Sequence, residues 1–215
     1  EEMTGELDYT PVLSTRYGPD PLDVVRAAEM LVAAKNPVIY AGGGVHYAEA
    51  WPQLKQLAEL LAIPVCTSLG GKSSFPEDHP LSLGSGGLAF PKAVHQFLHN
   101  ADVIFGVGCS FTETSFGIAM PKGKSFIQAT LDPIDLNKDV EVEVGLLGDA
   151  ALSLDALIAA VEDLVEGPRD NEPVAKEIAA VHEAWLAEWM PKLTSTQNPM
   201  TPYRVLWDLQ NTVDK

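Results

Sequence analysis

The chain has 215 residues, 46% of them hydrophobic, with 14 basic against 30 acidic residues and a formal net charge of −16. That length and apolar content support one good-sized domain with extensions, or two small ones, while the charge disfavours nucleic acid and anionic membranes as partners. No apolar run is long enough to span a bilayer. Cys66 and Cys109 are the only cysteines; they are too few for a structural zinc site and read as reduced core residues of a cytoplasmic protein.

Residues 1–19 are polar and irregular and read as a linker, with an acidic start unlike the basic start of a signal peptide. Asp20-Pro21 then supplies a helix cap with proline at the first helical position. Leu22, Val25, Ala28, Leu31 and Val32 recur at helical spacing, and Asn36-Pro37 ends the helix. A short apolar strand, 38–41, runs into Gly42-Gly43-Gly44. Such a turn either cradles an anionic group or simply closes a tight strand-to-helix connection. It is not the G-x-G-x-x-G of dinucleotide enzymes, because position 47 is Tyr.

A second helix is predicted over 46–62, with Trp51, Leu54, Leu57, Leu60 and Leu61 as its core face and Pro52 in its first turn. A strand at 64–68 follows. Phe75 to Pro80 is a loop in which His79 reads as a hydrogen-bonding organiser, and Leu83 to Gly87 reads as a second glycine-rich turn. Helix 91–100 leads to strand 103–108, then strands 125–131 and 142–147, and a closing helix over 150–165. Apolar strands alternating with amphipathic helices predict an α/β fold: a doubly wound, mainly parallel, six-stranded sheet with helices on both faces. Only five strand runs are placed by the pattern itself.

In such sheets ligands bind beyond the carboxyl ends of the strands. Those ends carry Gly42, Gly43, Gly44, Thr67, Ser68, Gly108, Ser110, Asp132 and Asp149. This is a nucleotide-shaped set, with backbone amides for phosphates and carboxylates for ribose hydroxyls, and it is a binding constellation, not a catalytic one. Asp132 and Asp149 also read as helix caps, and Lys72 as a phosphate partner or an exposed loop lysine. No Ser or Cys pairs with a histidine at triad spacing, and His46, His95, His99 and His182 show no metal-ligand spacing. After a linker at 167–173, Val174, Ile178, Val181, Trp185 and Trp189 form a helical stripe expected to stop before Pro191. A short amphipathic segment begins near Met200. The predicted organisation is therefore a linker over 1–19, a Rossmann-like domain over 20–166 and a helical linker over 167–215.

Residues 20–165 resemble the central domain of thiamine-diphosphate-dependent enzymes of the acetolactate synthase, pyruvate oxidase and 2-oxoacid decarboxylase group. The likeness rests on Lys35-Asn36-Pro37-Val38-Ile39 with Ala41 to Val45, Ile63-Pro64-Val65 with Gly71-Lys72, and Phe75 to Pro80 with Leu83-Gly84. Ala101 to Ile104 with Val107 to Phe111, Leu131 to Lys138, and Gly148-Asp149-Ala150 complete the series in the family's order. Pro199 to Pro202 resembles the start of the family's third domain. The resemblance implies a middle domain whose N- and C-terminal neighbours supply the catalytic glutamate and the magnesium and thiamine diphosphate site. It also implies a homo-oligomeric parent, and FAD or ADP on the central domain of some members. The FAD-binding synthases carry Arg-Phe-Asp-Asp-Arg where this chain has Ser110-Phe111-Thr112-Glu113-Thr114, which removes a planar cationic donor. Two functions follow: a nucleotide-binding domain, or a purely structural spacer with a vestigial site. A sirtuin-like NAD deacylase would normally need four zinc-binding cysteines.

Overall fold

The computed structural model describes residues 15–87 and 91–213; the first part of the expected linker, residues 1–14, lies outside them. Helix α1 (Pro21–Ala33) starts where Asp20 Oδ1 accepts from Leu22 N at 2.8 Å. Its buried stripe is Val24, Ala27, Ala28 and Leu31. Of the apolar residues recurring at helical spacing, Ala28 and Leu31 are buried, while Leu22 and Val25 are 75% and 46% exposed. The alanines win the inner face because α1 lies against helix α5 (Ala150–Glu162), and small side chains allow close approach.

Strand β1 (Pro37–Ala41) is buried along its whole length. The expected second helix is broken in two: α2 (Gly44–Tyr47) and α3 (Trp51–Leu61). Glu49 between them has φ +53, which no continuous right-handed helix accommodates. The break turns Trp51 out of the predicted core face to 41% exposure, with its indole Nε1 donating to His46 Nδ1 at 2.9 Å.

Strand β2 (Val65–Thr67) is followed by β3 (Ser82–Ser85), a strand the sequence disguised as a glycine turn. It is a short edge strand, with a register shift against β2 and Gly84 at φ +94. Then come α4 (Lys92–Asn100), β4 (Val103–Val107), β5 (Ser125–Thr130), a 3-10 turn at Pro133–Asp135, and β6 (Val144–Leu147) before α5. The strands form one sheet in the order β3-β2-β1-β4-β5-β6, and every pairing is parallel. The fold class is thus the expected doubly wound α/β arrangement, with six strands.

Alternation along the strands sends residues to two separate cores. One gathers α1, α3 and α5 over Ile39, Ala41, Phe105, Val107, Ile127 and Leu146. The other gathers α4 over Val38, Tyr40, Ile104, Phe111 and Phe126. Helix α6 (Glu172–Leu193) buries Ile178 in this second core. It runs through Pro191, where the sequence predicted a stop: a proline in the last turn forfeits little of the helix beyond it. Helix α7 (Pro202–Thr212) leans on α6 through Tyr203 against Trp189, which itself stacks on Trp185.

Candidate functional site

All six strands point their carboxyl ends at one edge. From β1 the chain proceeds outward to β2 and β3 on one side, then returns to place β4, β5 and β6 on the other. Connections leaving β1 and β4 therefore diverge, and a crevice opens at that switch point. Its volume is about 620 Å³, within the roughly 300–1,000 Å³ usual for small-molecule sites.

Eight of the nine predicted residues line it: Gly42, Gly43, Gly44, Ser68, Gly108, Ser110, Asp132 and Asp149. Thr67 does not; it is buried, and its Oγ1 donates to Ser85 Oγ at 2.8 Å, tying β2 to β3.

The glycines are largely committed to one another. Gly42 N–H donates to Val107 O and Gly44 N–H to Gly108 O, both at 2.8 Å. A Cβ on Gly42 would stand 2.6 Å from Cys109 Cβ, and one on Gly44 2.7 Å from Gly108 Cα. Gly108 itself has φ +60, and a Cβ there would lie 2.6 Å from Val45 N. Close passage of the two connections across the switch point is what demands glycine here. Of the three N–H groups, that of Gly43 is the one without a backbone acceptor among the described residues. The helix behind it has a single turn, too short to build much of a dipole.

The carboxylates are also occupied. Asp132 Oδ1 accepts from Ile134 N at 3.0 Å and caps the 3-10 turn. Asp149 Oδ1 accepts from Ala151 and Leu152 N–H as the cap of α5, and from Arg16 Nη2 at 2.5 Å. Burial works against ionisation of Asp149, but the Arg16 guanidinium and the cap N–H groups outweigh it and hold the carboxyl below its usual range. Segment 15–19 is drawn in further by Tyr17, whose hydroxyl donates to Leu131 O at 2.8 Å and whose carbonyl accepts from Asp149 N at 2.9 Å.

Away from the cleft, Lys72 pairs with Glu77. His79 orders its loop by accepting from Leu81 N and contacting Glu59. Burial pushes the Cys109 thiol up to about 12 and raises Cys66 and Tyr40 in the same direction, which favours their protonated forms. Both cysteines are free thiols.

The residues missed from sequence include polar Thr112, Thr114 and Asp135 and a larger apolar group. Phe111, Phe116, Ile118 and Met120 come from the β4–β5 connection, and Tyr47 and Leu69 from the opposite lip. Tyr47, Leu69, Phe116 and Leu131 are exposed at the mouth. The available signal was the long stretch of 108–124 without helical period, since loops of that length in compact domains are commonly functional. The described lining contains three carboxylates, Asp132, Asp135 and Asp149, and no Lys, Arg or His. Lys138 reaches its edge through Thr112 Oγ1 at 3.0 Å.

A parallel sheet of this order with a crevice at its switch point defines a doubly wound, Rossmann-like domain. Residues 24–157 match the family model "Thiamine pyrophosphate enzyme, central domain", and the chain belongs to that family. It is 34% identical over 198 residues to a probable acetolactate synthase large subunit of Methanocaldococcus jannaschii, covering 91% of this chain and 32% of the relative. A glyoxylate carboligase of Escherichia coli O157:H7 is 29% identical, covering 92% and 33%. The solved benzoylformate decarboxylase from Polynucleobacter necessarius superposes with a TM-score of 0.61 at 28% identity, covering 80% of this chain and 32% of that one. The chain thus spans about a third of the length of these relatives.

The described residues offer no magnesium site. Among the described residues no three His, Cys, Asp or Glu side chains are grouped to hold a metal, and Asp149 is engaged by Arg16 and the α5 cap. No described helix is long and apolar enough to cross a membrane.

Proposed function

We propose that this chain is the structural middle domain of a longer, cytoplasmic, homo-oligomeric thiamine-diphosphate enzyme of the acetolactate synthase kind, a carboligase or decarboxylase of 2-oxoacids. Magnesium and thiamine diphosphate belong to the neighbouring domains, which residues 1–19 and 167–215 link to this one. The cleft keeps the shape of an adenine-nucleotide site but holds ADP or FAD weakly. The carrying observation is the state of its polar groups: two glycine N–H groups already bonded to the end of β4 and the glycine after it, two carboxylates already capping helices, and no cation in the described lining. A diphosphate entering here meets more negative charge than positive. The apolar mouth and the volume favour a second reading, a functional nucleotide site, because a flat heterocycle is well served by Tyr47, Leu69 and Phe116.

Calorimetric titration with ADP and with FAD separates the two. We expect dissociation constants weaker than about 100 μM, so that 1 mM ligand raises stability by no more than about 1.4 kcal/mol. Stoichiometric FAD retained through purification, or submicromolar ADP binding, overturns the spacer. The wider assignment is tested on the full-length coding sequence: a Gly-Asp-Gly … Asn segment downstream is expected, and its absence defeats it.

A further inference from the structure

Gln128 is a fully buried polar side chain in the middle of β5. Its neighbours in the sheet are Gly106 on β4 and Gly145 on β6. Paired residues of parallel strands share a face, so this rung presents one side chain flanked by two empty places. Two returning loops fill them. A Cβ on Gly106 would collide with the Phe111 ring and stand 2.7 Å from Cys109 Sγ; one on Gly145 would lie 3.1 Å from Leu136 Cδ2. The Gln128 amide then bonds both loops, Nε2 donating to Cys109 O at 3.0 Å and to Asp135 O at 3.2 Å. Cys109 and Asp135 both line the cleft.

The amide oxygen, Oε1, is buried with no partner. Leaving a carbonyl so is unfavourable, and an apolar residue of similar size avoids the penalty. The oxygen's penalty is set against the two bonds that Nε2 donates to the loop carbonyls, so packing alone does not call for a glutamine here. What it supplies is a link between loops 108–112 and 132–136. We propose that Gln128 is a positioning residue that fixes the separation of these two walls, and so sets the width of the cleft for whatever enters it. This deepens the reading of the crevice as nucleotide-shaped and rests on it only for the identity of the ligand.

The clamp is tested without ligand by amide hydrogen exchange on the whole chain and on Gln128→Leu. Exchange in 109–114 and 132–137 should quicken at least tenfold, while 38–41 and 103–107 stay within twofold. Unchanged exchange in the two loops, or an equal rise everywhere, overturns the proposal. Should that variant not fold, the wild-type chain decides: the Gln128 carboxamide protons should exchange with water at least tenfold more slowly than those of exposed Gln197. Equal rates defeat the clamp. Titrating ADP into the same samples tests the nucleotide reading separately, since the exchange result stands whether or not ADP binds.

Discussion

The two faces of the sheet are built from different material. Under α1, α3 and α5 the contacts are almost wholly aliphatic, Leu31, Leu54, Leu57, Leu154 and Leu157 meeting Ile39, Ile127 and Leu146. Under α4 and α6 they are aromatic and mixed: Tyr40 stacks on Phe111, Phe111 meets Phe126 edge to face, and a loop, not a helix, covers the β4–β5 side. The first face is closed by three helices and bears no part of the Gln128 bridge. The second carries the bridge and the folded-back loops that give the cleft its shape. The glutamine bridge and the loops it joins thus lie on one side of the sheet, away from the three-helix aliphatic layer.

The largest effect is expected where the aliphatic face is emptied. Leu57→Ala should cost about 2–5 kcal/mol in denaturant unfolding, with no selective change in the exchange of loop 109–114; a selective change would break the division between faces. Next comes the seam. Gly108→Ala sets a Cβ against Val45 N at a left-handed φ, and should cost about 1–3 kcal/mol while opening the cleft on the β4 side.

Asp149→Ala removes a cap and should cost about 1 kcal/mol. It should also flatten the acid limb of the stability curve. Asp149 is held below the ordinary carboxylate value, so its contribution is complete above the unfolded value near 4 and disappears as the pH falls through the lower folded one. Asp102 behaves in the same sense: burial opposes its charge, but N–H donors from Lys35, Asn36 and Val103 prevail. Hence the variant should lose less stability than wild type between about pH 5 and pH 2. The smallest signal is chemical: the buried Cys66 should resist a thiol reagent at pH 8 in the folded chain and react promptly in denaturant.

How far the sequence could be read depended on what carried the information. Buried strands show as β-prone apolar runs, so β1, β4 and β5 were legible. Ser82 to Ser85 was not, because an edge strand needs few apolar residues and this one contains a glycine with a positive φ. Periodicity identified α1 and its buried Ala28 and Leu31 but took Leu22 and Val25 in place of Val24 and Ala27, since hydropathy undervalues alanine at a close helix contact. Glycines and carboxylates at strand ends marked the cleft from composition alone. Whether Gly42 N–H was open to a ligand depended on Val107 O, a partner 65 positions along the chain. Gln128 carried no sequence signal at all, for its role arises from two glycines on adjacent strands.

Arg16 and Tyr17 give the segment before α1 a mechanical meaning. They stitch it to Leu131 and Asp149, the exits of β5 and β6, so traction on the polypeptide upstream of Asp20 is delivered to the rim of the crevice before it reaches the hydrophobic interior. The same carboxylate secures the opening turn of α5, so that stitch fastens the segment to the helix that packs beside α1 on one face of the sheet.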